Sequence, residues 1–304
     1  MKFSRNADAM LKRTLVFANP ILLSLKNRQL VLNYKDTPEA NTTIPIEDVG
    51  VVVIEHQQVN ITIPLLNALA DQGAQVVICD SKGMPSAMLQ NLNGNQLQGE
   101  TLRLQMALGE VTKKQLWKQI VEAKIKNQAT LLHKLDRRGE LLKPYYQNVK
   151  SGDADNREGA AARVYFGELF GSGFVRRRES PGINALLNYG YTILRAATAR
   201  AIVSSGLLPA IGIFHHHRSN AFPLADDLME PYRPYVDEIV FRLVEAEKIA
   251  LSKEVKGQLL QVLYADTAFP KALRPLSVGL SFTTASFVKC IAKDQTNLSL
   301  PAMQ

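Results

Sequence analysis

The sequence predicts an α+β fold, with a small N-terminal β-rich domain followed by a larger all-α domain. Three features of the 304-residue chain predict it. Before residue 80, apolar residues come in short runs broken by turn formers, the spacing of strands. After Glu100 they recur every three or four positions, the spacing of helices that bury one face. Between the two lies 81–99, SKGMPSAMLQNLNGNQLQG, whose Gly, Asn, Ser and Pro suit a loop and a domain boundary.

The opening MKFSRNADA lacks any pattern, so residues 1–9 read as an extension or flexible arm. TLVF, LLSL and QLVLNY are short apolar and β-branched runs, and Lys26-Asn27-Arg28 stands where a hairpin turn falls. TTIPI and VGVVVIE continue the strands. TIPLLNALADQGAQVVICD reads as helix then strand. Thr62 is placed to cap the helix and Pro64 is tolerated in its first turn. Leu65, Leu66, Leu69 and Ala70 share a face, Gly73 ends the helix, and Gln75 to Cys79 is a buried strand. Six helical stretches follow: TLRLQMALGE, KKQLWKQIVEAKIKNQATLLHKL, GAAARVYFGELF, INALLNYGYTILRAATARAIVSSG, VDEIVFRLVEAEKIAL and SFTTASFVKCIAK. There is no internal repeat or low-complexity tract. The expected limits are an extension at 1–9, a β-rich domain at 10–88, a linker at 89–99 and a helical domain at 100–304.

Hydrophobic residues at 46% and charged residues at 21% allow a sizeable core. No apolar run approaches the roughly 18–20 residues that span a membrane, and the N-terminus lacks the apolar stretch of a secretory signal. The two cysteines, Cys79 and Cys290, sit in apolar surroundings, as buried free thiols of a cytoplasmic protein do. A net charge of +8 favours an anionic partner, nucleic acid being the commonest. Because the basic residues are spread along the chain, a folded basic surface is expected rather than a charged tail.

The densest chemistry lies in GIFHHHRSNAFPLADDLMEPYRP, residues 212–234, which holds three of the five histidines side by side. In an extended segment His215 and His217 share a face and His216 points the other way. A zinc site using His215, His217 and a carboxylate is one reading. A hard-cation site with one histidine and two carboxylates, suited to magnesium or manganese, is another, and a polar loop is the third. Asp226, Asp227 and Glu230, three and four apart, group on one helical face, where acids also complement a helix dipole. Pro231 interrupts that helix and can push Glu230 outward. Glu158, three residues after Asp155, has capping-box spacing, but Gly159 and the alanines after it also allow a close approach to a cleft. Candidate DNA contacts are Arg176, Arg177 and Arg178 in a Gly-bounded loop, Lys12, Arg13, Arg163, and the tyrosines Tyr165 and Tyr189 among them. Phosphate-loop, GxGxxG, CxxC and HExxH motifs are missing.

The stretches NREGAAARVYF, NALLNYGYTIL, HHHRSNAFPLADDLMEPYRP and RPLSVGLSFTTASFVKCI, with KIKNQATLL and MLKRTLVFANP, occur in one order. In them the chain resembles the CRISPR adaptation integrase family, the Cas-one proteins, and within it the type II branch, over residues 10–295. The resemblance implies a metal set of Glu158, His215 and Glu230, which are also the catalytic residues. Glu230 stands where much of the wider family has aspartate. Asp227 matches a supporting acid. Gly212 and Asn220 select His215 among the three histidines, with His216 the runner-up.

The resemblance further implies a metal-dependent DNA endonuclease and strand-transfer integrase of CRISPR spacer acquisition. It would use Mg²⁺ or Mn²⁺ and insert short foreign DNA by 3′-hydroxyl attack on a phosphodiester. Implied partners are a second copy in a homodimer, the small Cas-two dimer, double-stranded DNA as prespacer and CRISPR repeat, and the type II effector nuclease. Rival readings are a non-catalytic DNA-binding scaffold and a zinc hydrolase using His215 and His217.

Overall fold

The computed structural model describes residues 12–35, 40–81, 85–89, 95–177, 180–270 and 272–304. The expected arm at 1–9 lies outside them. The chain divides into two compact units, residues 1–92 and 93–304.

The first unit holds β1 (Arg13–Phe17), β2 (Ile21–Lys26), β3 (Gln29–Asn33), β4 (Thr42–Pro45), β5 (Val49–Ile54), β6 (Val59–Ile61), α1 (Ile63–Asp71), β7 (Gln75–Cys79) and β8 (Pro85–Leu89). They form two four-stranded sheets, ordered β1-β5-β7-β8 and β4-β3-β2-β6. β5, VGVVVI, is buried along its whole length and pairs in parallel with β1 and β7. A continuous apolar strand is what a central parallel position needs, because both its faces are covered. The β2–β3 hairpin turns at Asn27 and Arg28, both at positive φ (50° and 58°), as a two-residue type I′ turn requires. Pro64 lies in the first turn of α1, and Gly73 follows its end at φ 70°. Leu65 and Leu69 of α1 join Leu23, Leu30, Val52 and Val76 in the core.

Two strands depart from the sequence reading. β6 extends β2 in parallel, and β8 forms inside the stretch expected to be a loop. PSAML has no β-branched residue and opens on proline, which a strand tolerates only at its start or edge. Its antiparallel pairing with β7, not its propensity, makes it a strand.

The second unit is helical apart from one hairpin: α2 (Gln98–Met106), α3 (Glu110–Lys134), α4 (Lys143–Gln147), α5 (Arg157–Phe170), α6 (Ile183–Ser204), α7 (Pro223–Met229), α8 (Arg233–Glu245), α9 (Lys253–Leu260), β9 (Asp266–Phe269), β10 (Ala272–Pro275) and α10 (Leu276–Ile291). The periodicity did not predict β9–β10. α3 is the central element, packing on α5 and α8, and its buried face mixes Trp117, Ile120 and Leu131 with Lys124, Asn127 and Gln128. α6 and α8 cross at Gly190, where a Cβ would stand 2.4 Å from Val236 Cγ1. Asp237 of α8 accepts hydrogen bonds from Tyr165 of α5 at 2.8 Å and from Tyr191 of α6.

Residues 299–303 close the unit. Asn127 Nδ2 donates to the carbonyls of Pro231 at 2.7 Å and Pro301 at 3.1 Å, and its Oδ1 accepts from Met303 N at 3.1 Å. Ala302 exchanges two backbone hydrogen bonds with Ala268 of β9. Among the described residues no helix is long and apolar enough to cross a membrane. Cys79 and Cys290 are buried and form no disulfide.

Candidate active site

Glu158 stands in the first turn of α5, but other residues build that turn. Asn156, left-handed at φ 52°, caps the helix by accepting from Gly159 N at 3.1 Å. A Cβ at Gly159 would come within 2.7 Å of that cap. Asp153 accepts from the amides of Arg157 at 2.7 Å and Glu158 at 3.1 Å. Asp155 instead meets Arg157 and Lys150. The capping box that the Asp155–Glu158 spacing allows is therefore not made, because Asp153 and Asn156 take the donors it would serve. The Glu158 side chain is left for Lys124, whose Nζ lies 2.5 Å from its Oε1.

Glu230 opens a short 3-10 turn, Glu230–Tyr232, between α7 and α8. Pro231 lacks an amide hydrogen, and the turn it helps impose separates the two helices. The Glu230 carboxylate is buried and reaches two cations. Arg233 Nε donates to Oε1 at 2.8 Å, and Lys124 Nζ lies 2.5 Å from Oε2. That second contact is a close ion pair that ties a buried carboxylate oxygen to the ammonium. Burial pushes the carboxyl pKa up, but Arg233 and Lys124 outweigh it and hold the group at about 2. Burial works against the Lys124 ammonium, and Glu158 and Glu230 more than restore it.

His215 is fixed by Asp227, which is wholly buried. The 212–215 turn wraps the carboxylate: Oδ2 accepts from the amides of Ile213 at 2.6 Å and Phe214 at 3.0 Å. Oδ1 accepts from the amide of His215 at 3.1 Å and meets its Nδ1 at 2.7 Å. With Nδ1 engaged, Nε2 is the nitrogen left for a ligand. Asp227's hydrogen bond raises the imidazole pKa against the opposing effect of burial. Gly212 is required here, since a Cβ would lie 2.4 Å from the His215 carbonyl and 2.9 Å from Asp227 Oδ2.

Two cavities flank His215. One, of 710 Å³, holds Arg176, Arg195 and Arg233 around Tyr191. Arg233 lies over the Tyr191 ring at 4.5 Å, Arg195 grips Asp226 through two bonds of 2.6 and 2.5 Å, and Arg176 donates to Asn184 and Asn188. Asn220 also donates to Asp226, at 2.7 Å. The other cavity, of 740 Å³, is lined by Lys113, Lys114, Phe214, His216 and Arg218. His216 Nδ1 meets the Phe214 carbonyl oxygen at 2.7 Å, and His217 Nδ1 meets Ser219 Oγ at 2.9 Å.

Two carboxylates meeting on one cationic atom and an oriented imidazole beside them suit a hard divalent cation. Glu158, Glu230 and His215 do not surround one common point, and no such cluster of three occurs among the described residues. Lys124 Nζ stands between the two carboxylates.

The model of the CRISPR-associated protein Cas1 family matches residues 15–274. The chain belongs to the Cas1 family. It is 36% identical to the CRISPR-associated endonuclease Cas1 of Neisseria meningitidis serogroup C (strain 8013), over 95% of each chain. A casposase bound to its integration product shares the fold at TM-score 0.78 and 20% identity, covering 95% of this chain and 93% of that one. A partial Cas6-RT-Cas1–Cas2 complex aligns at TM-score 0.62 and 21% identity, covering 94% and 97%.

In this Cas1 chain the sequence-predicted residues separate into three groups. Glu158 and Glu230 meet on Lys124, while His215 and Asp227 form a separate pair. The acids of ADDLME were read as one helical face or as dipole partners, yet each is buried and faces a different side chain: Asp226 meets Arg195, Asp227 meets His215, and Glu230 meets Lys124 and Arg233. Arg163 and Arg177 are exposed, Arg13 is exposed in the first unit beside half-buried Lys12, and Arg178 lies outside the described residues. Tyr165 and Tyr189 are corrected: both are fully buried, so neither can face DNA, and Tyr165 is spent on Asp237. Sequence reasoning missed Lys124, Arg233 and Phe214 as parts of the site. Lys124 could have been found as a lysine on the apolar face of α3, four residues after Ile120.

Proposed function

We propose that this protein is a metal-dependent DNA endonuclease and strand-transfer integrase of CRISPR spacer acquisition. The observation that carries the reading is the convergence of Glu158 and Glu230 on one cationic position, beside a histidine oriented by a buried aspartate, in a Cas1 chain. Glu158, Glu230 and His215 would hold Mg²⁺ or Mn²⁺, which supplies charge stabilisation for a phosphoryl oxygen and for the leaving 3′ oxygen. Asp227 holds Nδ1 and leaves Nε2 to the ion. Arg233 keeps Glu230 ionised. Arg176 gives the adjoining cavity positive charge to seat DNA phosphates. The nucleophile is the 3′-hydroxyl of the incoming DNA, or water when the site acts as a nuclease, so no protein nucleophile is required.

The structural neighbour that contains Cas2 supports a Cas2 dimer as partner. The identity to the Neisseria protein supports a place in the type II branch, and the effector nuclease of that branch is a further proposed partner. The protein would act in the cytoplasm as a homodimer on prespacer and repeat DNA.

The test is strand transfer into a supercoiled plasmid, with and without Mg²⁺ or Mn²⁺ and with and without Cas2. Transfer is expected only with metal, and Glu158→Ala should lower it by about 10²- to 10³-fold. Undiminished transfer by Glu158→Ala would overturn the assignment. Duplex binding without any metal-dependent transfer would favour the scaffold reading, and tightly held stoichiometric zinc the hydrolase reading.

A further inference from the structure

Lysine is rarely found inside a protein unless it is paired, and Lys124 is 8% exposed on the buried face of α3. Its ammonium lies 2.5 Å from Glu158 Oε1 and 2.5 Å from Glu230 Oε2. Those oxygens come from different elements, the first turn of α5 and the turn between α7 and α8. Two carboxylates brought this close repel each other unless a cation stands between them. Lys124 is that cation, and the carboxylates keep it charged against its burial.

A divalent ion held by Glu158 and Glu230 needs the same two carboxylates. One point between two oxygens seats a single cation, and a second cation beside it is repelled. A buried ammonium can leave its partners only toward another acceptor. Gln128 lies four residues further along α3 on the same buried face, and helical side chains lean back over the preceding turn. Its Oε1 is buried with no hydrogen-bond partner among the described residues.

We propose that Lys124 is a displaceable counter-ion of the candidate metal site. Its ammonium and the divalent ion compete for Glu158 and Glu230, and Gln128 receives the ammonium when the ion takes its place. The proposal rests on the metal reading above and deepens it, naming two residues that set how tightly the ion is held. Both act by positioning, with no part in bond making.

The test compares full-length wild type with Lys124→Met, Gln128→Met and a control, Lys126→Met, which removes an exposed lysine from the same helix. Calorimetric titration gives the Mn²⁺ Kd, and thermal unfolding in a chelator gives Tm without the ion. Lys124→Met should lower that Tm yet tighten Mn²⁺ binding by about 10- to 100-fold, because the ion no longer displaces a buried charge. The opposite signs set this role apart from a structural one, whose loss lowers Tm without tightening the site. Gln128→Met keeps the competitor and removes its alternative partner, so binding should weaken by about 10-fold. Lys126→Met should match wild type. Binding by Lys124→Met no tighter than wild type refutes the proposal, and equal tightening in Lys126→Met reduces the effect to net charge and refutes it too. Unchanged affinity in Gln128→Met does the same, even where Lys124→Met fails to fold. In those results the metal reading stands. Wild type that binds no Mn²⁺ overturns both.

Discussion

Each oxygen of Asp227 takes two donors, and that count fixes what can replace it. An asparagine amide at this position would oppose its own NH₂ to two N–H groups, leaving buried donors unpaired and His215 free to rotate. Asp227→Asn is expected to lower stability by about 1–3 kcal/mol, read as a drop in Tm, and to weaken Mn²⁺ binding by about 10- to 100-fold in a titration. An unchanged Mn²⁺ affinity would separate Asp227 from the metal. Glu158, His215, Asp227 and Glu230 were singled out in the sequence by the motifs that carry the family resemblance, not by their spacing alone. Lys124 left a weaker signal, a single lysine on the apolar face of a 25-residue helix, which periodicity alone does not separate from a surface residue. Phe214 was hidden for the opposite reason: an apolar residue beside Ile213 reads as core, and only the structure shows its ring outside.

Helices α5, α6 and α8 meet on a single carboxyl group. Burial raises the Asp237 pKa, the hydrogen bonds from Tyr191 and Tyr165 pull it back, and the balance leaves it at about 6 against an ordinary 3.8. A group whose pKa rises on folding favours the native state most when protonated. The stabilisation is complete below pH 4 and is lost as pH climbs through 6. The difference amounts to about 3 kcal/mol for a shift of this size. Asp237→Asn, which keeps an acceptor for one tyrosine and turns an NH₂ toward the other, does not titrate and should flatten the stability change between pH 4 and 6.5. Urea unfolding at several pH values, wild type against variant, measures it, and parallel curves would discount Asp237. Periodicity located the six longest helical stretches, since each carries several apolar repeats. It missed β8 and the β9–β10 hairpin, because four- or five-residue strands made by their partners hold no period long enough to read.

The order of the units, β-rich then helical, followed from the change in hydrophobic spacing. The charge excess of +8 pointed to an anionic partner without showing where it would lie. The structure puts Arg163 and Arg177 at the surface of the helical unit, where each can neutralise one phosphate. Duplex affinity should fall linearly with the logarithm of salt concentration, and replacing both arginines by alanine should reduce the slope by about two. Anisotropy titrations from low to physiological salt give that slope. An unchanged value would move the DNA path elsewhere.

Asn127 reaches partners 174 and 176 residues further along the chain, and it also donates directly to the turn that carries Glu230. Synthesis therefore delivers every candidate ligand before it delivers the clasp behind them. A ribosome-bound chain that has passed Glu230 but not Met303 holds the chemistry without the fixed geometry.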